Sequence, residues 1–134
     1  MIDTPAGRLG ILIGSDSWYP DNYRKLNELG AQMVAVPALV IGRDTWDKPW
    51  RGFKSVSTPP EVSLKPEELS EGEAWHRLSL ISQAPISLAG AGMSVFMRGQ
   101  FWDQGTSGQS FLSTQGQVFA DGNARGARLL NVWL

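Results

Sequence analysis

The chain has 134 residues, 42% of them hydrophobic and 19% charged, with a formal net charge of -1. This is enough chain for one domain with its own core, and the near-neutral charge gives no electrostatic reason to expect nucleic acid as a partner. There is no cysteine and one histidine, His76. That excludes disulfides, thiolate zinc sites, thiol nucleophiles and multi-histidine metal sites, so no metal and no cofactor is expected.

No apolar run approaches a transmembrane span and no basic-then-apolar leader opens the chain. No membrane association and a cytoplasmic location are therefore expected. Leu9, Ile11, Leu12 and Ile13 form a short apolar run with Gly on both sides, the pattern of a strand covered on both faces. Pro20 suits the first turn of a helix over 20–29, with Tyr23, Leu26 and Leu29 on one side and Gly30 to end it. Residues 31–36 read as a second strand, stopped by Pro37. Strand, helix and strand in that order predict parallel neighbours.

Residues 38–72 read as an irregular insertion, rich in Pro and Ser but holding Trp46, Trp50 and Phe53. Aromatics at that density predict packing, either on the domain core, at a subunit contact or as one wall of a ligand pocket. A second helix is predicted over 67–82, with Pro66 and Glu67 at its start, and a short strand over 86–91. Residues 110–120 read as two strands around a turn at 114–116, and 127–134 as a final strand.

Several of these residues form a recognisable pattern. Thr4, Pro5, Gly7, Arg8, Leu9 and Gly10 are followed by three apolar residues, then Gly14, Asp16, Tyr19 and Pro20. The pattern resembles the nucleophile segment of the carbon–nitrogen hydrolases, the family of nitrilases, aliphatic amidases and N-carbamoyl amidohydrolases. Val36, Pro37 and Ala38 extend the resemblance, as do Gly108, Ser110, Phe111, Gly116 and Val118 near the C-terminal end. It implies an α/β fold for residues 1–134 as a single half-domain. That half-domain would be the second half of an α-β-β-α sandwich, a mixed sheet with two helices on one face. Gly14 occupies the position of the family's catalytic Cys, and the family's Glu and Lys come from the half that would precede this one. Asp16, Trp18, Pro37 and Ala38 would line the pocket.

The family's reaction needs a thiolate that attacks an amide or nitrile carbon, a base for that thiol and a cation for the oxyanion. With Gly14 in place of Cys, this chain alone cannot run it; loss of one member of such a unit costs about a millionfold in turnover. Ser15 next to Gly14, with His76 and Asp16, is the substitute arrangement the sequence could offer, although the Gly-x-Ser-x-Gly turn is missing. Two function classes stay open: a non-catalytic assembly or binding module, or an amidohydrolase part completed by another polypeptide or using Ser15. Half a sandwich leaves a sheet face uncovered, which predicts a homo-oligomer or a separate N-terminal half as partner.

Overall fold

The computed structural model describes residues 1–53, 58–60, 62–83, 86–114, 117–120, 129 and 131. Among them, strands run in chain order as β1 (Ile2–Thr4), β2 (Gly7–Ile11), β3 (Met33–Ala38), β4 (Val40–Ile41), β5 (Ala91–Phe96), β6 (Gln100–Phe101), β7 (Gln104–Ser107), β8 (Phe111–Thr114) and β9 (Gln117–Ala120). The helices are α1 (Pro20–Glu28), α2 (Glu71–Leu78) and the single-turn α3 (Leu80–Gln83), with 3-10 turns at Gly14–Trp18 and Thr45–Asp47.

The main sheet has the order β1-β2-β3-β5-β8-β9. Its centre, β2, β3 and β5, is parallel, and the outer strands are antiparallel to their neighbours. A small sheet, β4-β7-β6, lies beside it. The fold is thus α/β with a mixed sheet, as the sequence predicts. The helices share one face. Gly10 and Gly92 sit in the same register row through Val34, and they take Leu26 of α1 and Leu80 of α3 against their bare α-carbons. A Cβ at either position would meet those leucine methyls at 2.9 Å, so the close approach requires glycine.

The turn from α1 into β3 follows from its sequence. Gly30 takes φ 74°, its N–H donates to the Asn27 carbonyl at 2.8 Å, and the Ala31 N–H donates to the Leu26 carbonyl at 2.9 Å. This pair of bonds is a Schellman motif, which uses the orphan carbonyls of the last helical turn. The Arg8 guanidinium then bonds the Leu29 carbonyl at 3.0 Å and the Asp3 carboxylate at 2.8 Å. A cation at the negative end of α1 is stabilising.

Several boundaries differ from the sequence expectations. Pro37 does not stop β3, which runs on to Ala38 paired with Phe96. The Ala35 carbonyl faces β2, where it accepts from the Leu12 N–H at 3.0 Å. Two residues on, position 37 faces the same way but lies past the last β2 pair, so its missing N–H breaks no ladder bond. The second helix begins at 71 rather than 67. Ser70 is its N-cap, in a reciprocal capping box with Glu73. Gly72 stands in its first turn because the Trp46 indole packs there, 2.5 Å from where a Cβ would be. The helix is broken at Ser79, and α3 follows. The strand expected over 86–91 starts only at Ala91; Asn27 of α1 instead holds the 86–88 loop through the Ile86 carbonyl and the Leu88 N–H. The 110–120 hairpin is present as β8 and β9, while the final strand expected over 127–134 falls largely outside the described residues.

The core lies between the sheet and the helices, around Val34, Val36, Tyr23, Trp50, Trp75 and Phe111. The other sheet face carries no helix among the described residues and is largely exposed, although Leu112 near its middle is only 7% exposed. The row Ile11–Ala35–Met93–Leu112–Phe119 crosses five strands in register, flanked by Leu9–Met33 on one side and Pro37–Val95 on the other. Ile11 is 39% exposed, Ile13 70%, Met93 40%, Val95 51% and Phe119 51%. The apolar run 9–13 therefore belongs to a strand covered on one face only, not on both.

Candidate functional site

The segment after β2 makes a tight 3-10 turn, Gly14–Trp18, before α1 begins at Pro20. This is the position at which open α/β sheets place ligand sites, beyond the C-terminal ends of parallel strands. Gly14 has φ 56°, in the left-handed region, and the space where a side chain would project from it holds no atom within 4 Å.

A buried hydroxyl network holds this turn from behind. Ser17 Oγ donates to the Gly14 carbonyl at 2.8 Å and accepts from Ser79 Oγ at 2.9 Å, and the Tyr23 hydroxyl donates to the Ser17 carbonyl at 3.0 Å. Ser17, Ser79 and Tyr23 are fully buried. Burial pushes the Tyr23 phenol well above its usual pKa, with the Ser79 and Ser17 hydrogen bonds opposing. It is therefore a permanent neutral donor. The turn is thus bolted to α1 and to the α2–α3 junction at once.

In front of the turn lies a cavity of about 640 Å³. Gly14, Ser15 and Asp16 form its floor on one side, and Pro37 and Ala38 at the end of β3 form the other. Trp18, Tyr19, Phe53 and Trp75 supply aromatic wall, and Glu71 contributes a second carboxylate. Trp18 meets Trp75 edge-on at 4.9 Å and Phe53 at 5.6 Å, and Tyr19 meets Phe53 at 5.4 Å. These geometries favour rigid walls. Among the described residues no Lys, Arg or His lines the cavity, whose described lining is apolar with an acidic side.

Asp16, Trp18, Pro37 and Ala38 thus come together around Gly14. Ser15 is exposed and lines the same cavity. His76 lies elsewhere: its half-buried ring stacks on Phe111 at 4.9 Å, edge-on to Trp46 at 6.0 Å. Burial lowers its pKa, with a Gln109 hydrogen bond opposing. A Ser15–His76 pair is not assembled, and His76 is a packing residue rather than one on a polar helix face. The Asp16 carboxylate does not cap α1 either. Its main chain does the holding: its carbonyl accepts from Asn22 Nδ2 at 2.8 Å and its N–H donates to the Ile13 carbonyl at 3.1 Å. Among the described residues no cluster of three or more His, Asp or Glu could hold a metal ion, and no helix is long and apolar enough to cross a membrane.

Sequence reasoning missed the Ser17–Ser79–Tyr23 network, whose members lie up to 62 positions apart with nothing local to link them. It weighed Phe53 as one wall of a pocket but missed Glu71 as a lining residue, because Glu71 falls within the stretch 38–72 that reads as irregular.

No family model and no curated protein matches the sequence at a significant level. Among solved structures, the chain is similar to a carbon–nitrogen hydrolase from Helicobacter pylori G27, with a TM-score of 0.62 and 19% sequence identity. The match covers 93% of this chain and 40% of that one. The likeness is one of fold, and the chain spans less than half the length of its structural neighbour.

Proposed function

We propose that this chain is a carbon–nitrogen-hydrolase-type half-domain that keeps the family's pocket but carries no nucleophile in it, and works as a binding and assembly module. The observation that carries the reading is Gly14: it stands at the cavity floor, beyond a parallel strand, with open space where a thiol would project. Nucleophilic catalysis at that point needs a side chain with a base in reach. The cavity instead offers four aromatic walls and two carboxylates, the lining of a site that holds a small partly apolar molecule without transforming it.

The test pairs chemistry with binding. The purified chain is incubated with short aliphatic amides, N-carbamoyl compounds and nitriles while ammonia is measured, and the same compounds are titrated against Trp fluorescence, which Trp18 and Trp75 make sensitive to occupancy. The expected result is no ammonia and a saturable fluorescence change. Ammonia release that disappears in Ser15→Ala overturns the reading.

A second reading has two observations in its favour. The chain spans 40% of its structural neighbour's length, and one sheet face carries no helix among the described residues. It would then be part of an amidohydrolase completed by another polypeptide that brings the Glu and Lys. Gly14→Cys, assayed together with that polypeptide, would then gain amide hydrolysis.

A further inference from the structure

The bare sheet face is the largest feature that the cavity does not explain. We infer that it pairs with the same face of a second copy of this chain, the two sheets stacking about a twofold axis into a four-layer, helix-sheet-sheet-helix dimer. The inference rests on the half-domain reading above and names the partner that completes it.

Three observations select a second copy. The first is area. Ile11, Ile13, Met93, Val95, Met97 and Phe119 together present on the order of 600 Å² per chain, approaching the roughly 800 Å² per partner of a standard stable interface. The second is charge. None of the side chains in the three register rows of this face is ionised, so a twofold pairing, in which each residue meets its counterpart's neighbours, brings no like charges together. The third is shape. Along the central row Ala35 lies between Ile11 and Met93, a dip between two ridges. A twofold operation sets each Met93 ridge over the partner's Ala35 dip, the interdigitation that face-to-face sheets need at about 10 Å separation.

The pairing also acts on the cavity. Ile13, Pro37 and Leu39 belong to its rim and to the bare side of the sheet, so the second sheet roofs the mouth that the single chain leaves open.

Light scattering on the eluting peak at micromolar concentration tests this. The wild-type chain is expected at twice the single-chain mass. Val95→Glu and Ile11→Glu are expected at single mass with an unchanged far-ultraviolet circular dichroism spectrum. Leu88→Glu, at a more exposed apolar residue in the loop held by Asn27 of α1, should remain dimeric. Should the charge variants fail to fold, the chain's lack of cysteine allows a second measurement. Ala35→Cys treated with a short bismaleimide should give a covalent dimer, and Leu88→Cys should not. A wild-type chain of single mass, charge variants that keep the double mass, or equal cross-linking at both positions overturns the pairing and leaves the face to a different polypeptide. The ammonia assay is read independently: a monomer that releases none refutes only the pairing, and a dimer that releases it refutes only the binding-module reading.

Discussion

The hydroxyl network behind the Gly14 turn offers the sharpest test of how the site is held. Ser17→Ala removes one acceptor and one donor, leaving the Gly14 carbonyl and the Ser79 hydroxyl without the partners that lie at 2.8 and 2.9 Å. Ser17 and Ser79 are fully buried, so water cannot reach the orphaned Ser79 hydroxyl without opening the structure, while the Gly14 carbonyl is half-buried. With about 1 kcal/mol for each net bond and a penalty for the orphaned groups, the expected loss is about 2 kcal/mol. An unfolding entropy of about 2.1 cal/mol/K per residue converts that into a fall in Tm of roughly 7 °C for a chain of 134 residues. Calorimetry gives Tm, and urea titration gives the free energy with an unchanged m-value. Ser79→Ala alone should cost about 1 kcal/mol, and in the Ser17→Ala background much less, because its acceptor is already gone. A Ser17→Ala protein within about 0.5 kcal/mol of wild type, or strict additivity of the two substitutions, would refute the network as the anchor of the turn.

Three further outcomes follow from the same geometry. Gly10→Ala puts a methyl 2.9 Å from both Leu26 methyls and should lower the denaturation midpoint by the equivalent of about 1–3 kcal/mol, partly recovered in Leu26→Val. Gly14→Ala meets no atom but must hold φ 56°, so it should cost about 1–2 kcal/mol with the fold intact; a neutral result would show that the turn is not left-handed there. His76 has a folded pKa depressed by burial, so its contribution is present above the unfolded value of about 6.5 and is lost as pH falls through the folded value. His76→Phe keeps the ring stack on Phe111 and should flatten the stability curve as pH falls below about 6.5, and an unchanged slope in urea titrations there would refute this.

Much of the fold was readable where local rules agree with tertiary packing. Pro20 and Gly30 bound α1 as their backbone preferences dictate, and the β8–β9 pair follows from alternation around a turn. Boundaries went wrong where a distant partner decides. β5, with sequence Ala-Gly-Met-Ser-Val-Phe, has Gly92 because Leu80 presses on it and so reads weakly as a strand. The start of α2 is set by the Ser70–Glu73 box rather than by Pro66, and its Gly72 by Trp46. At the site, the turn and its neighbours at 37 and 38 were legible from the motif. His76 was not, since a lone histidine in sequence carries no sign of the Phe111 ring waiting for it. The Trp46–Trp50–Phe53 group serves two of the three uses weighed for it: Trp50 is sealed in the core, while Phe53 faces the cavity.

The strand order of the main sheet has a kinetic consequence. Read across the sheet, the strands come in the order in which the chain is made, β1 to β9, skipping only those of the small sheet. Each new strand joins an existing outer edge, and none has to be threaded between two partners already paired. The sheet can therefore be laid down in one direction, as the chain leaves the ribosome, from the β1–β2 hairpin outward. The slowest joint is the one between β3 and β5, where Ala91 must find Met33 across the long irregular stretch and both later helices. Its loop-closure entropy has to be met before any native contact rewards it, so that closure sets the folding rate.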